Sequence, residues 1–177
     1  MNFIQRYYLK RRLNSFVEKR TEKQRNIYTL QETQSVCFFL TYDTFDKLEE
    51  LIRYTSLENK KKRIIICYLP SDKSIENKID TPTVYMIAQK AIHLTGQVDK
   101  QVRENIFSQH YDVFIDTDIK SDLNSLYLKT FFDADFRIGR NSEYCKYYDF
   151  TLCVGEQYTI KEYISNLETY TLKLKGI

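Results

Sequence analysis

Two carboxylates spaced two residues apart follow a short apolar run in the second half of the chain. Asp116-Thr117-Asp118 comes directly after the run 113–115, where we expect a buried strand to end. Carboxylates at this spacing can share a Mg²⁺ ion with phosphate oxygens. Asp and Thr are also favoured helix N-caps, and this second interpretation, with Thr117 or Asp118 capping the next helix, is the one we favour.

Arg140 follows Gly139 at the end of another expected strand. An arginine there can clamp an anion if a fixed pocket holds its guanidinium, and otherwise it is an ordinary solvated charge. Together with Asp116 and Asp118 it makes a candidate site for a phosphorylated or sugar-like ligand. The turn after the first expected strand has no glycine, so the fingerprint of a nucleotide-binding loop is absent.

A strong charge asymmetry marks the N-terminal segment. Residues 1–25 carry eight Lys/Arg against two Glu, a net of +6, whereas the rest has 19 basic and 22 acidic side chains, a net of −3. The candidate anion-binding residues are Arg6, Lys10, Arg11, Arg12, Lys19 and Arg20. We expect them to contact an anionic partner, which is RNA, an acidic protein or an anionic membrane surface.

The cysteines and histidines form no metal or nucleophile pattern. They are Cys37, Cys67, Cys145, Cys153, His93 and His110. The first two cysteines lie inside apolar runs, the other two lack the Cys-x-x-Cys spacing, and neither histidine has a nucleophile at a recognisable motif distance. We therefore expect reduced thiols in a cytoplasmic protein, with no metal and no cofactor, and we favour a non-catalytic role.

One aromatic cluster has two interpretations. Tyr144, Lys146, Tyr147 and Tyr148 interleave rings with a cation, as surfaces that bind single-stranded nucleic acid do. Tyrosine is also a favoured strand residue, and the chain has 15 of them. We favour the second interpretation, in which these tyrosines bound an edge strand.

Alternating strands and helices are expected to position these side chains. The runs 35–41 and 64–69 are apolar on both faces, as strands of a parallel sheet are. Between them, Asp43 or Thr44 can cap a helix whose inward residues are Phe45, Leu48, Leu51 and Ile52. This succession of strand, helix and strand predicts a parallel βαβ unit.

The same alternation continues to the end of the chain. We expect strands at 84–88, 113–115, 136–138 and 150–154, and helices at 97–109, 119–132 and 159–174. The polar stretch 71–81 is expected to be a loop. Before the first strand, an amphipathic helix is expected to run to about Lys23, with an apolar stripe of Phe3, Ile4, Tyr7, Tyr8, Leu13, Phe16 and Val17.

These elements predict one Rossmann-like α/β domain over residues 35–177, preceded by a basic amphipathic helix in residues 1–25. The sheet should be mostly parallel, with five or six strands in the order 3-2-1-4-5-6 and helices on both faces. Apolar runs are far shorter than the ~20 residues that a membrane-spanning helix needs. We therefore expect no transmembrane segment.

The chain also resembles two known groups of proteins. The segment from Tyr111 through Asp118, the following 121–132 and the run 134–140 resemble a strand, helix and strand in the N-terminal half of heptosyltransferase-like glycosyltransferases. That resemblance implies a Rossmann-like half. The whole chain is also similar to a domain-of-unknown-function family of Bacteroidota, which implies a cytoplasmic α/β protein and assigns no activity.

Overall fold

A computed structural model describes residues 3–21, 27–56, 62–70, 83–93 and 95–176. The helices are α1 (Phe3–Thr21), α2 (Phe45–Ser56), α3 (Lys100–Val102, continued by a wider turn over Arg103–Phe107), α4 (Leu123–Lys129) and α5 (Ile160–Lys175). The strands are β1 (Ser35–Thr41), β2 (Lys62–Leu69), β3 (Val84–Ala88), β4 (His110–Asp116), β5 (Asp133–Gly139) and β6 (Phe150–Thr151). Short 3₁₀ turns cover Gln89–Ala91 and Ser142–Tyr147.

The six strands form a single parallel sheet in the order β3-β2-β1-β4-β5-β6. This confirms the predicted α/β class, the parallel pairing and the strand order. From β1 the chain first extends the sheet through β2 and β3, and then returns to add β4 on the other side of β1. The direction of winding therefore reverses between β1 and β4, where a crevice opens at the carboxyl ends of the strands.

Helices cover both faces of the sheet and create two separate cores. On one face, Leu9 and Leu13 of α1 pack in a cluster with Leu128 of α4 and Phe114 of β4. On the other face, residues of α2 and α5 pack against the opposite sides of the same strands. That second cluster includes Leu48, Leu51, Tyr163, Ile164, Leu167, Phe38 and Ile115. Because both faces are covered, the apolar runs predicted from the sequence in β1, β2 and β4 are buried on both sides.

Helix α4 begins later than the sequence predicts, and a different residue caps it. The side chain of Asp122 accepts a hydrogen bond from the Ser125 amide at 2.6 Å, which makes Asp122 the N-cap. The prediction that Thr117 or Asp118 would cap this helix is therefore wrong. Thr117 instead donates its hydroxyl to the Phe39 carbonyl at 2.8 Å, which extends the contact between β4 and β1.

The apolar stripe predicted for α1 is correct in its second half and wrong in its first. Leu13 is buried, and Phe16 and Val17 pack against the core. The exposed apolar side chains of the first two turns are Phe3 (86%), Ile4 (60%), Tyr7 (56%) and Tyr8 (45%). Gln5 and Leu9 are buried in their place, so these two turns carry apolar groups on the outward side as well as the inward one.

Some expectations fall on residues outside the described ranges, namely the predicted loop 71–81 and the basic residues Lys23 and Arg25. Within the described ranges, the helices are all too short or too polar to cross a bilayer.

Candidate functional site

A cleft of about 720 Å³ lies at the carboxyl ends of the strands, at the point where the strand order reverses. Its floor comes from the ends of β1, β4 and β5, and its walls come from the start of α2 and the segment that leads into α5. The lining residues are Thr41, Tyr42, Asp43, Lys47, Glu50, Asp118, Lys120, Arg140, Glu156 and Tyr158, with their neighbours. Open α/β sheets bind their ligands at this position.

Asp118 and Arg140, two residues of the predicted ligand site, line this cleft. The third, Asp116, is 2% exposed and lies beneath the floor. The structure thus brings all three residues to one region, with both carboxylates almost wholly buried at the floor of the cleft.

Lys129 lies between the two carboxylates. Its ammonium is 2.8 Å from an oxygen of Asp116 and 2.8 Å from an oxygen of Asp118, and all three side chains are almost wholly buried. The ammonium therefore occupies the place that the sequence suggested for a shared Mg²⁺ ion. Within the described ranges, no group of three or more His, Cys, Asp or Glu side chains is arranged to hold a metal.

Both oxygens of Asp118 are also bonded by neutral donors. The Thr41 amide donates to one oxygen at 2.7 Å, and the Thr41 hydroxyl donates to the other at 2.6 Å. The Ser125 hydroxyl adds a longer bond at 3.3 Å. Asp118 thus ties the end of β1 to the start of α4, and its lone pairs are largely committed inside the protein.

The chemistry of Asp116 is set by burial. Burial raises the pKa of this carboxyl, while the Lys129 ammonium acts in the opposite direction. Burial alone would lower the pKa of Lys129, but the two carboxylates outweigh it and raise the pKa. The Tyr148 hydroxyl donates to Asp116, and burial together with that carboxylate raises the pKa of Tyr148 well above its usual value.

Gly139 makes the approach of Tyr148 feasible. A Cβ at position 139 would overlap the Tyr148 ring, so a side chain there would push the ring away from β5. The glycine at the end of this strand therefore serves a close packing contact rather than an unusual backbone conformation.

The Arg140 guanidinium is held by backbone carbonyl oxygens. It donates to Tyr158 at 2.6 Å and to Thr117 and Gly155 at 3.4 Å, and it lies 5.0 Å from the centre of the Tyr163 ring. Burial lowers the pKa of Arg140. This arginine fixes the segment before α5 against β4, and only part of its donor capacity remains for a ligand.

The charged side chains at the rim of the cleft are bonded to other groups of the protein. Lys47 bonds Asp43 at 2.8 Å, and Lys120 bonds Glu156 at 2.7 Å. Glu50 accepts from the first amides of α5, those of Ile160 at 3.3 Å and Lys161 at 3.0 Å. A carboxylate of the protein therefore already occupies the start of α5, where an anionic ligand would otherwise bind.

The outward side of α1 forms a second candidate surface. Within the described ranges, the side chains of Arg6, Lys10, Arg11, Arg12 and Lys19 are exposed and make no ion pair. Arg12 lies over the ring of Phe131 at 4.6 Å and still reaches solvent.

Arg20 differs from the other predicted cations. Its guanidinium is 13% exposed and forms an ion pair with Asp149, and burial lowers its pKa to about 10. The Asp149 carboxylate also accepts the Arg137 amide at 2.7 Å. Arg20 thus anchors the end of α1 to the body of the molecule and is not presented outward.

The tyrosine cluster is divided between surface and interior. Tyr147 and Tyr148 are buried, and Tyr148 bonds Asp116, so these two rings are not displayed for stacking on nucleotides. Tyr144 is partly buried and donates to the Ser121 carbonyl at 3.1 Å.

Sequence reasoning missed three residues that build the charged network, namely Lys129, Tyr148 and Thr41. A lysine in a short helix is ordinarily assigned to the solvent face. The available signal was the pair of carboxylates itself, because two acids at a buried strand end require a cation.

Comparison with known protein families identifies a match over most of the chain. The model of a family described as a family of unknown function (DUF6913) matches residues 5–174. Neither a curated protein nor a solved structure matches the chain.

Proposed function

The chain belongs to that family of unknown function (DUF6913), and we propose that it is a non-catalytic adaptor or binding protein that docks on an anionic partner through α1. The observation that carries the proposal is the outward side of α1. Of its predicted cations, five remain exposed without an ion pair among the described residues.

The charge of α1 is strongly one-sided. Its 19 residues contain six basic side chains and only one acidic side chain, Glu18, in the last turn. Cations spaced along one helix raise the local potential and attract polyanions at long range. Since the helix is already packed on the body through Leu9 and Leu13, docking needs no folding step.

The arrangement of the buried charges favours binding over catalysis. Asp116 and Asp118 share Lys129, and the Arg140 guanidinium is bonded to carbonyl oxygens. A general base needs a lone pair that can reach a substrate proton. These groups stabilise the ends of β1, β4 and β5 instead. The four cysteines are free thiols, which agrees with the reducing cytoplasm we propose as its location.

Salt-dependent binding tests this proposal. The probes are single-stranded poly(U) RNA, polyglutamate and vesicles containing phosphatidylglycerol. We expect binding to at least one of them, with an affinity that falls steeply as salt rises. The combined substitutions Arg6→Gln, Lys10→Gln, Arg11→Gln and Lys19→Gln should abolish most of it.

The matched control removes the same charge elsewhere, through Lys90→Gln, Lys100→Gln, Lys146→Gln and Lys173→Gln. All four control side chains are exposed. Binding that is independent of salt, or equally weak in both variants, contradicts the proposal. Deletion of residues 1–25 is not a substitute, because Leu9 and Leu13 belong to the core.

The cleft supports a second candidate function, the binding of a phosphorylated or sugar-like ligand. Its position at the reversal of strand order favours this alternative. The charged residues that line it are three basic (Lys47, Lys120, Arg140) and four acidic (Asp43, Glu50, Asp118, Glu156). A net negative lining favours a neutral, hydroxyl-rich ligand over a phosphorylated one.

Thermal unfolding with inorganic phosphate, a hexose phosphate and a neutral disaccharide tests this alternative. A ligand that binds the folded state stabilises it by about 2.7 kcal/mol at 100 times its dissociation constant. A rise in melting temperature with the disaccharide, lost on Lys47→Gln with Glu156→Gln, supports the sugar-like ligand. Melting temperatures that stay constant with every probe argue against a ligand of this kind in the cleft.

A further inference from the structure

The first two turns of α1 hold four large apolar side chains that the described part of the chain leaves at least 45% exposed. Phe3 and Ile4 are the two most exposed large hydrophobic side chains there, at 86% and 60%, and Tyr7 and Tyr8 follow at 56% and 45%. Ile4, Tyr7 and Tyr8 follow Phe3 by one, four and five residues, and these spacings place all four on one side of a helix. We call this group the outer apolar edge of α1.

The opposite side of α1 also carries apolar side chains. Leu9 is fully buried in the core, and Leu13 follows it at 4% exposure. A helix that is apolar on two sides is expected to be covered on both, because exposed apolar area of this size is uncommon on a soluble surface. The body covers the inner side, whereas the residues that the structure describes leave the outer apolar edge open to an external partner.

Cations accompany the outer apolar edge on the same turns. Arg6, Lys10 and Arg11 are exposed, and the first acidic residue of α1 is Glu18. We propose that the outer apolar edge and these three cations bind α1 to the surface of an anionic lipid bilayer, which names the partner of the docking surface proposed above and rests on that proposal.

A bilayer surface matches this combination of residues. Helices that lie in the interface place aromatic and aliphatic side chains at the boundary with the acyl chains, while Lys and Arg extend to the anionic headgroups. Tyrosine is favoured at the headgroup level, where its ring and hydroxyl meet different environments. Phe3 and Ile4 would enter most deeply, because they are the most exposed.

RNA and a second copy of the chain match less well. Single-stranded RNA uses cations and stacking rings, but the aliphatic Ile4 has no ring to stack on a base. In a dimer through the outer apolar edge, the Arg6, Lys10 and Arg11 of both copies would be brought together. Like charges facing one another across an interface are unfavourable.

A tryptophan reporter makes the insertion directly measurable, because the chain contains no tryptophan. Phe3→Trp places the reporter at the outer apolar edge, and Tyr170→Trp places a matched one on α5, where Tyr170 is 46% exposed. With vesicles of phosphatidylglycerol and phosphatidylcholine, we expect a blue shift of the emission for Phe3→Trp and none for Tyr170→Trp. Vesicles of phosphatidylcholine alone should give no shift at low protein concentration.

Vesicle sedimentation measures separately what the cations and what the apolar side chains contribute to vesicle binding. Each cation near an anionic surface changes affinity about 5-fold, so Arg6→Gln with Lys10→Gln and Arg11→Gln should weaken binding on the order of 100-fold. Phe3→Ser with Ile4→Ser should weaken it about 10-fold or more. The control Tyr170→Ser with Leu172→Ser removes exposed apolar groups from α5 and should leave binding unchanged.

Four results would overturn the membrane proposal. The first is vesicle binding without a blue shift for Phe3→Trp, and the second is self-association that Phe3→Ser with Ile4→Ser abolishes. The third is salt-dependent binding to poly(U) RNA or polyglutamate but not to vesicles, which would leave the broader docking proposal standing. Absence of binding to all three probes would overturn both proposals.

Discussion

The Lys129 ammonium lies 2.8 Å from the Asp118 carboxylate, and the two side chains are 3% and 4% exposed. Asp116 contacts the same ammonium from its other side at 2.8 Å. Lysine side chains are rarely buried to this extent unless a partner neutralises them. The end of β4 therefore depends on a cation that comes from α4.

Replacing Lys129 by methionine should destabilise the protein strongly. The change keeps the volume of the side chain but leaves two buried carboxylates facing one another. Removal of one partner from a buried ion pair typically costs about 3–5 kcal/mol. Urea unfolding at neutral pH measures the loss. As a control, Lys120→Met removes an exposed rim pair, and its effect should be far smaller because solvent screens that pair.

The defect of Lys129→Met should also shrink as the pH falls. Without the ammonium, burial and the neighbouring Asp118 carboxylate hold the pKa of Asp116 above the value of about 3.9 that an aspartate has in the unfolded chain. The folded variant therefore binds protons more tightly than its unfolded state does. Lowering the pH should thus reduce the difference in free energy of unfolding between the variant and the natural protein. A difference that grows between pH 7 and pH 5 would contradict this electrostatic explanation.

Replacing Gly139 by alanine should displace the Tyr148 ring. The new methyl group would overlap that ring, which would have to move away from β5 and lose its bond to Asp116. Overpacking of this kind typically costs about 1–3 kcal/mol. Chemical unfolding measures the change. Gly176→Ala is a suitable control, since the nearest atom to its added methyl would be the Leu172 carbonyl oxygen at 3.6 Å.

His110 should make the stability depend on pH near neutrality. One ring nitrogen is 2.9 Å from Asp133 and the other is 3.3 Å from Asp135. The hydrogen bond with Asp133 has the largest effect in raising the pKa of His110, and Asp135 acts in the same direction. Because the pKa of His110 is higher in the folded than in the unfolded chain, its ion pairs stabilise the fold fully at a pH below the unfolded pKa of about 6.5. This stabilisation is lost as the pH rises through the folded pKa.

The comparison of the natural protein with His110→Gln measures this effect. Their difference in free energy of unfolding should be larger at pH 6 than at pH 8.5. Because His110 is on the surface, the difference should be small and should decrease further in high salt. A constant difference over this pH range would show that the two carboxylates do not act on the histidine.

Two of the four thiols should react in the native protein. Cys145 and Cys153 are exposed, whereas Cys37 and Cys67 are buried. Burial raises the pKa of Cys67 to about 12, and it raises the pKa of Cys37 as well, so neither forms thiolate at neutral pH. Ellman's reagent should titrate two thiols before unfolding and four in guanidinium chloride. Fast reaction of a third thiol in the native state would contradict the burial.

The central strands could be predicted from the sequence because their physical requirements are local. β1 is buried on both faces from Val36 to Leu40, and such runs are typical of parallel strands. The predicted order 3-2-1-4-5-6 was a choice among the few topologies that this succession of elements allows, and the structure confirms it. β6 proved shorter than expected, ending at Thr151.

The orientation of α1 could not be predicted by the same reasoning. Apolar residues occur on both its sides, so periodicity alone did not distinguish the side with Leu9 from the side with Ile4. Packing against α4 decided it. For Lys129, the two carboxylates indicated that a cation was needed, but which lysine supplies it depends on how the sheet and α4 pack and not on any local pattern.

The ion pair between Arg20 and Asp149 joins residues 129 positions apart. During synthesis on a ribosome, α1 emerges long before the acid that fastens it and before α4, on which it rests. Until then its leucines have no native surface to cover them. The inner side of α1 can therefore reach its native surroundings only after most of the chain has been synthesised.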